Sequence, residues 1–82
     1  MSVPAQLRYL VLEFLAGTDT ADSAELLRAV GGGTTESALH AAVDHLHREG
    51  LVEVAKYSPD RWPRYDMIRI TAPGRQALQD RP

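Results

Sequence analysis

The chain contains no cysteine. Disulfides, thiolate metal sites and cysteine nucleophiles are therefore excluded, and an oxidising compartment is not implied. It also lacks any apolar run approaching the roughly 20 residues needed to span a bilayer. The opening segment, MSVPAQLRYLVLEFLAG, has no basic stretch ahead of its apolar residues, and Arg8, Tyr9 and Glu13 interrupt them. It does not read as a signal peptide, so the expectation is a cytoplasmic protein with no membrane partner. A phosphate-binding loop is missing too: Gly31-Gly32-Gly33 joins two helical segments and lacks the Lys-Ser/Thr ending. No carboxylate pair and no nucleophile–base pair stands out. The expectation is a non-enzyme without a cofactor.

What is present is a folding chain. Hydrophobic residues make up 44% and charged residues 24% of its 82 positions, the balance of a globular protein and not of a disordered one. That length supports one small domain, taken as residues 1–82, with a modest core. The formal net charge is −2 and the pI about 5.8. On its own this weighs against nucleic acid, because phosphate contacts dominate that affinity. The charge is unevenly spread, however. Residues 1–41 hold two basic and five acidic side chains, whereas residues 42–82 hold seven basic and six acidic. A local basic patch on an acidic protein is compatible with this pattern.

Thr34 to Leu51, TTESALHAAVDHLHREGL, is the stretch most clearly marked at both ends. Thr34 or Thr35 can cap the first turn, since a hydroxyl accepts from the free N–H groups there. Gly50 stands where a left-handed residue ends a helix, and Leu51 can fold back onto Leu46. Between them Leu39, Ala42, Val43 and Leu46 form one apolar stripe at three- and four-residue steps, giving a helix over about 35–49. The opposite side carries Ser37, Ala41, Asp44 and Arg48, flanked by His40, His45 and His47.

Before this stretch, residues 3–16 read as a helix. Pro4 lies near its start, Leu7, Leu10, Val11, Phe14 and Leu15 form its buried face, and Gly17 ends it. Thr18 to Ala21 is a connector with at most one short extended segment. Asp22 and Glu25 form a near capping box for a second helix, about 23–30, whose apolar residues are Leu26, Leu27 and Val30. The three glycines then turn the chain, giving a helix-turn-helix arrangement. After Gly50 the period becomes extended. LVEVAKY, about 51–57, is one strand, and RYDMIRIT, about 64–71, is another, with Ile68 and Ile70 on one face and Arg69 on the other. The intervening Ser58-Pro59-Asp60-Arg61-Trp62-Pro63 is a loop, its prolines unable to donate to a ladder. Thr71 caps a short last helix, about 72–79, docked by Ala77 and Leu78.

A fold that is mostly α with a small antiparallel hairpin follows, because a two-stranded hairpin is stable only when packed on something else. The segment HREGLVE, the basic proline-containing hairpin tip, and the segment IRITAPGRQAL together resemble the "Leu-x-x-x-Gly-Leu-Val … Tyr-x-Leu-Thr-x-x-Gly-Arg" pattern of bacterial winged helix-turn-helix regulators, the PadR-like and MarR-like groups in particular. Ile68 stands where that pattern has Tyr, and Ile70 where it has Leu. The resemblance covers nearly the whole chain. It implies a three-helix core, a two-stranded wing and a short C-terminal helix, and a small double-stranded DNA-binding regulator. Those regulators carry a further long dimerisation helix that is not found before Pro82. The expectation is therefore a homodimer joined through the first and last helices.

By this resemblance the helix over 35–49 lies in the major groove. Its DNA-facing residues are Thr35, Ser37, His40, Ala41, Asp44 and Arg48. Arg48 reaches a guanine or a phosphate, Ser37 and His40 donate, and Asp44 can help only by accepting from a cytosine amino group, since it repels phosphate. The wing residues Lys56, Arg61, Trp62 and Arg64 combine cations with a flat aromatic, which suits a backbone or a minor groove. The same residue types also anchor protein interfaces. A protein–protein adaptor, such as a phage or plasmid accessory protein or a complex subunit, is the alternative, and the acidic pI and Asp44 suit it. His40, Asp44 and His47 share one helix side at a spacing that can hold zinc or nickel. With no cysteine or further carboxylate paired to them, they are read as polar surface and not as a metal site.

Overall fold

A computed structural model describes residues 5–30, 33–58 and 64–80 of the chain. Its elements follow in the order α1 (Ala5–Thr18), β1 (Thr20–Ala21), α2 (Ser23–Val30), α3 (Glu36–Arg48), β2 (Val52–Ser58), β3 (Arg64–Ile70) and α4 (Ala72–Gln79). The strands form one antiparallel sheet in the order β1-β3-β2. In the hairpin, Val52 lies opposite Ile70 and Val54 opposite Ile68. The architecture is a winged helix-turn-helix: three helices, a hairpin leaving directly from the third, and a short closing helix.

α1 is the element the others enclose; it packs on α2, α3, α4, β1 and β3. That surrounds it on more than one side and alters its buried face. Leu7, Val11 and Leu15 are buried as their spacing indicates, but Leu12 is buried too, at 1% exposure. Leu10, assigned to the buried face from its spacing, is 39% exposed, and Phe14 is only partly buried. The rest of the core comes from Leu26 of α2, the stripe Leu39, Ala42, Val43 and Leu46 of α3, and Val52, Ile68 and Ile70 of the sheet. Each fully buried leucine or isoleucine contributes about 1.5–3 kcal/mol from removal of its surface from water.

α1 does not stop at Gly17. It continues to Thr18, and the left-handed residue is Asp19, at φ 69°. An aspartate tolerates that conformation better than most non-glycine residues. The last turn is held from inside and outside. Asp19 N–H donates to the Leu15 carbonyl, the Thr18 hydroxyl donates to the Phe14 carbonyl, and Arg75 of α4 donates to the Ala16 carbonyl at 3.3 Å and to the Asp19 carboxylate at 2.9 Å. These partners let the helix run past a glycine that would end it in isolation.

β1 adds a third strand to the hairpin. It pairs with β3 through Thr20 opposite Arg69 and Ala21 opposite Ile68. Two residues on, buried Ser23 extends the pairing by side chain. Its hydroxyl accepts from Tyr65 N–H at 2.8 Å and donates to the Tyr65 carbonyl at 3.2 Å. The start of α2 is thus tied to the base of the wing. The capping box that opens α2 is complete. Asp22 N–H donates to Glu25 Oε1 at 3.2 Å and Glu25 N–H donates to Asp22 Oδ1 at 2.7 Å.

The junction between α3 and the wing fixes the rest. Gly50 adopts φ 77°, Gly50 N–H donates to the His47 carbonyl and Leu51 N–H to the Leu46 carbonyl, the two bonds of a Schellman ending. The following turn is then gripped by the residues after β3. The Thr71 hydroxyl donates to the Gly50 carbonyl at 2.7 Å, and Thr71 N–H donates to the Leu51 carbonyl at 3.1 Å. The same hydroxyl accepts from Gly74 N–H and caps α4. Gly74 is buried flat against this turn, and a β-carbon there would collide with the Leu51 carbonyl oxygen and approach Ile70 to 2.8 Å.

Two glycines within helices therefore have opposite consequences. Gly74→Ala is expected to destabilise the fold by about 1–3 kcal/mol, because the obstacle is backbone and cannot swing aside. Gly17→Ala is expected to stabilise by about 0.5 kcal/mol, since an added methyl meets nothing within 4 Å and alanine loses less entropy in a helix. Chemical denaturation of the two variants checks both signs. Equal effects would contradict the assignment of Gly74 to a close contact.

Candidate nucleic-acid interface

α3 is capped by Thr35, whose hydroxyl accepts from Ala38 N–H at 3.0 Å. Its buried stripe faces the core, and the outward residues inherit the orientation that core packing imposes. Ser37 and Ala41 are exposed, Asp44 is half-buried and Arg48 is exposed. They lie at steps of four, three and four along one side. All four are brought together on the face that points away from α1.

These side chains differ in how free they are. Arg48 Nη2 lies 2.9 Å from Asp44 Oδ2, an i,i+4 ion pair with the acid on the N-terminal side, the favoured order in a helix. The two charges on the face are therefore spent on each other. His40 is only partly exposed, and its ring stacks on that of Tyr65 with centroids 5.5 Å apart and planes 14° from parallel. The stack joins the middle of α3 to the first part of β3. His45 faces the other way, toward α1, where Arg8 Nη1 lies 2.9 Å from its Nε2; Glu49 Oε1 is 3.0 Å from the same nitrogen and 3.6 Å from Arg8. This cluster holds the last turn of α3 against α1. Among the described residues no group of three metal-ligating side chains converges, and His40 and Asp44 have the other engagements just given.

The wing is only partly within view. Lys56 and Arg64 lie on the described backbone of β2 and β3, while Arg61 and Trp62 fall outside the described residues. Arg69 of β3 is committed elsewhere. Its Nη2 lies 2.7 Å from Glu53, the residue directly opposite on β2. Arg75 is likewise paired with Asp19. Arg28 on α2 is exposed and is in no ion pair among the described residues.

Sequence reasoning missed two things here. One is the Ser23–Tyr65–His40 connection, which depends on contacts across 42 and 25 positions and leaves no local signal. The other is the Asp44–Arg48 pair, for which the i,i+4 spacing was a readable signal.

Neither a protein-family model nor a curated protein sequence matches the chain. Solved structures do share its fold. The transcriptional regulator BldR from Sulfolobus solfataricus superposes with a TM-score of 0.71 at 31% identity, over 92% of this chain and 50% of that one. A transcriptional regulator homologue from Pyrococcus horikoshii gives 0.73 at 25% identity, over 92% and 71%. BpsR of Bordetella bronchiseptica, whose DNA binding is regulated by 6-hydroxynicotinic acid, gives 0.74 at 15% identity, over 96% and 53%. A PadR family regulator of Clostridium difficile also superposes, at 0.70 and 16% identity. The chain spans about half the length of BpsR and of BldR. Its fold is that of the winged helix transcriptional regulators.

Supporting and free residues on α3 separate by stability. His40→Ala is expected to cost about 1 kcal/mol through loss of the ring stack. Ser37→Ala is expected to stay within about 0.5 kcal/mol of the wild type, as for other surface changes. Thermal denaturation followed by circular dichroism distinguishes them, and a neutral His40→Ala would show that the stack holds nothing.

Proposed function

We propose that this protein is a small winged helix regulator that binds double-stranded DNA. α3 lies in the major groove and the wing lies along the flanking backbone. The observation that carries the reading is the outward face of α3. The fold leaves Thr35, Ser37, Ala41, Asp44 and Arg48 uncommitted to the core, on a helix whose angle is fixed by the wing junction. Small residues at 37 and 41 let the helix approach base edges closely. The likeness to transcriptional regulators supports the same use. His40 in this reading supports the helix through Tyr65 and does not donate to a base.

The wing supplies the phosphate contacts. Lys56, Arg61 and Arg64 provide three cations around Trp62 in nine residues of sequence, where the described arginines of the body are mostly neutralised by acids. One module of this size covers few base pairs, so binding is by a homodimer. α1 and α4 are the proposed interface, with Leu10 already exposed on α1.

A second reading, a protein-binding adaptor, draws on the internal pairing of Arg8, Arg48, Arg69 and Arg75. Binding to a random-sequence duplex across a salt series separates the two. The regulator reading predicts micromolar binding at low salt that weakens as salt rises. It also predicts that Arg61→Ala with Arg64→Ala lowers the slope of log K against log salt by about 2 for every sequence. Absence of any salt-dependent binding at low ionic strength sinks the regulator and leaves the adaptor.

A further inference from the structure

A lone arginine on a recognition helix is a poor discriminator. Its guanidinium binds a phosphate oxygen as readily as a guanine edge, and its long side chain samples many rotamers. Arg48 is not in that situation. Although 78% exposed, it is held by Asp44, itself 34% exposed, through one Nη2···Oδ2 contact of 2.9 Å one helical turn away. That contact uses one of five N–H donors. The rest of the guanidinium remains open. A guanine in the major groove offers two neighbouring acceptors, O6 and N7, which suit two parallel N–H groups.

Resting on the DNA-binding reading above, we propose that the Asp44–Arg48 pair is a specificity device: Asp44 is a positioning residue that aims Arg48 at a guanine and repels it from the phosphate backbone. The charge arithmetic supports this. The pair is neutral, so it adds nothing to non-specific attraction. Placed against a phosphate, it brings a carboxylate beside a negative oxygen. Placed against a guanine edge, it keeps its internal contact and gains two hydrogen bonds. The exposed Ser37 and Ala41 lie on the same helix side and let that side sit low in the groove. The body's other described ion pairs differ from this one. Arg8–Glu49, Arg69–Glu53 and Arg75–Asp19 join stretches distant in sequence, and His45–Glu49, also an i,i+4 contact, is part of the Arg8 cluster against α1, whereas Asp44–Arg48 ties α3 to nothing else.

A merely structural pair and a positioning pair differ in sign. Asp44→Asn removes the carboxylate and keeps the shape. Under this proposal its affinity for a random-sequence duplex rises and its salt slope steepens by about 1, because one repulsion is gone. At the same time its preference for the guanine falls about tenfold, because Arg48 is no longer aimed. The experiment selects bound sequences from a randomised duplex pool with the wild type and with Asp44→Asn, and measures both proteins on one fixed random duplex across salt. Circular dichroism confirms that helix content is unchanged. The double variant Asp44→Arg with Arg48→Asp serves as the control. It keeps the net charge and an i,i+4 pair but moves the guanidinium by one helical turn, so the guanine preference is lost or moves. Retention of the same guanine position by Asp44→Asn or by the swapped pair overturns the proposal while leaving DNA binding intact. No salt-dependent binding by the wild type overturns the DNA-binding reading and this proposal with it.

Discussion

The turn at Gly50 and Leu51 is the constraint on which the remaining geometry depends. A positive φ at Gly50 lets two amide groups close back onto α3, and the chain leaves the helix in a fixed direction. The two carbonyls of this turn are then claimed by Thr71, which also caps α4, and Gly74 fits beneath them because it lacks a side chain. Four elements thus meet at one pair of peptide groups: α3, the start of β2, the end of β3 and the start of α4. Arg75, the next residue, reaches on to the end of α1. The run from Thr71 to Arg75, shared in pattern with winged helix regulators, is in this chain a structural latch. It contributes no side chain to the outward face of α3. It decides where that face points relative to the wing.

Local signals in the sequence were reliable wherever the physics is local. The Asp22–Glu25 box, the Thr35 and Thr71 caps and the Gly50 ending all depend on residues within five positions of each other, and all form. The stripe of α3 is buried as its spacing indicates, because α3 packs with one face only. α1 shows where this fails. A helix enclosed on several sides has no single stripe, so Leu12 was overlooked and Leu10 misplaced. The end of α1 was misjudged for a related reason. Glycine ends a helix when nothing else satisfies the last carbonyls, and Arg75 arrives to do so from 59 residues away. β1 is two residues long and has no period to detect; it exists because β3 offers it a partner.

The candidate interface was legible in position but not in chemistry. Helical spacing placed Ser37, Ala41, Asp44 and Arg48 on one side, and the fold keeps them there. The sequence gives no hint, however, that His40 stacks on Tyr65 or that Arg8 joins His45 and Glu49 from 37 positions away. The charge on the face also reads differently once the pair is seen. Asp44 and Arg48 were two opposed contributions to phosphate affinity. Joined at 2.9 Å they form a neutral unit on an otherwise small-residue surface. On a protein with net charge −2, such a face suits selection among base sequences better than attraction to DNA in general. In the proposed mode attraction falls to the wing, whose cations are crowded into a short stretch of sequence.

In the proposed mode the outward side of α3 meets DNA. Backbone amide shift mapping by NMR, with a short duplex added stepwise at low salt, tests it most directly. Perturbations are expected to concentrate at Thr35, Ser37, Ala41, Asp44 and Arg48 and in the wing, and to fade as salt is raised. Perturbations confined to α1 and α4, with α3 silent, would contradict it.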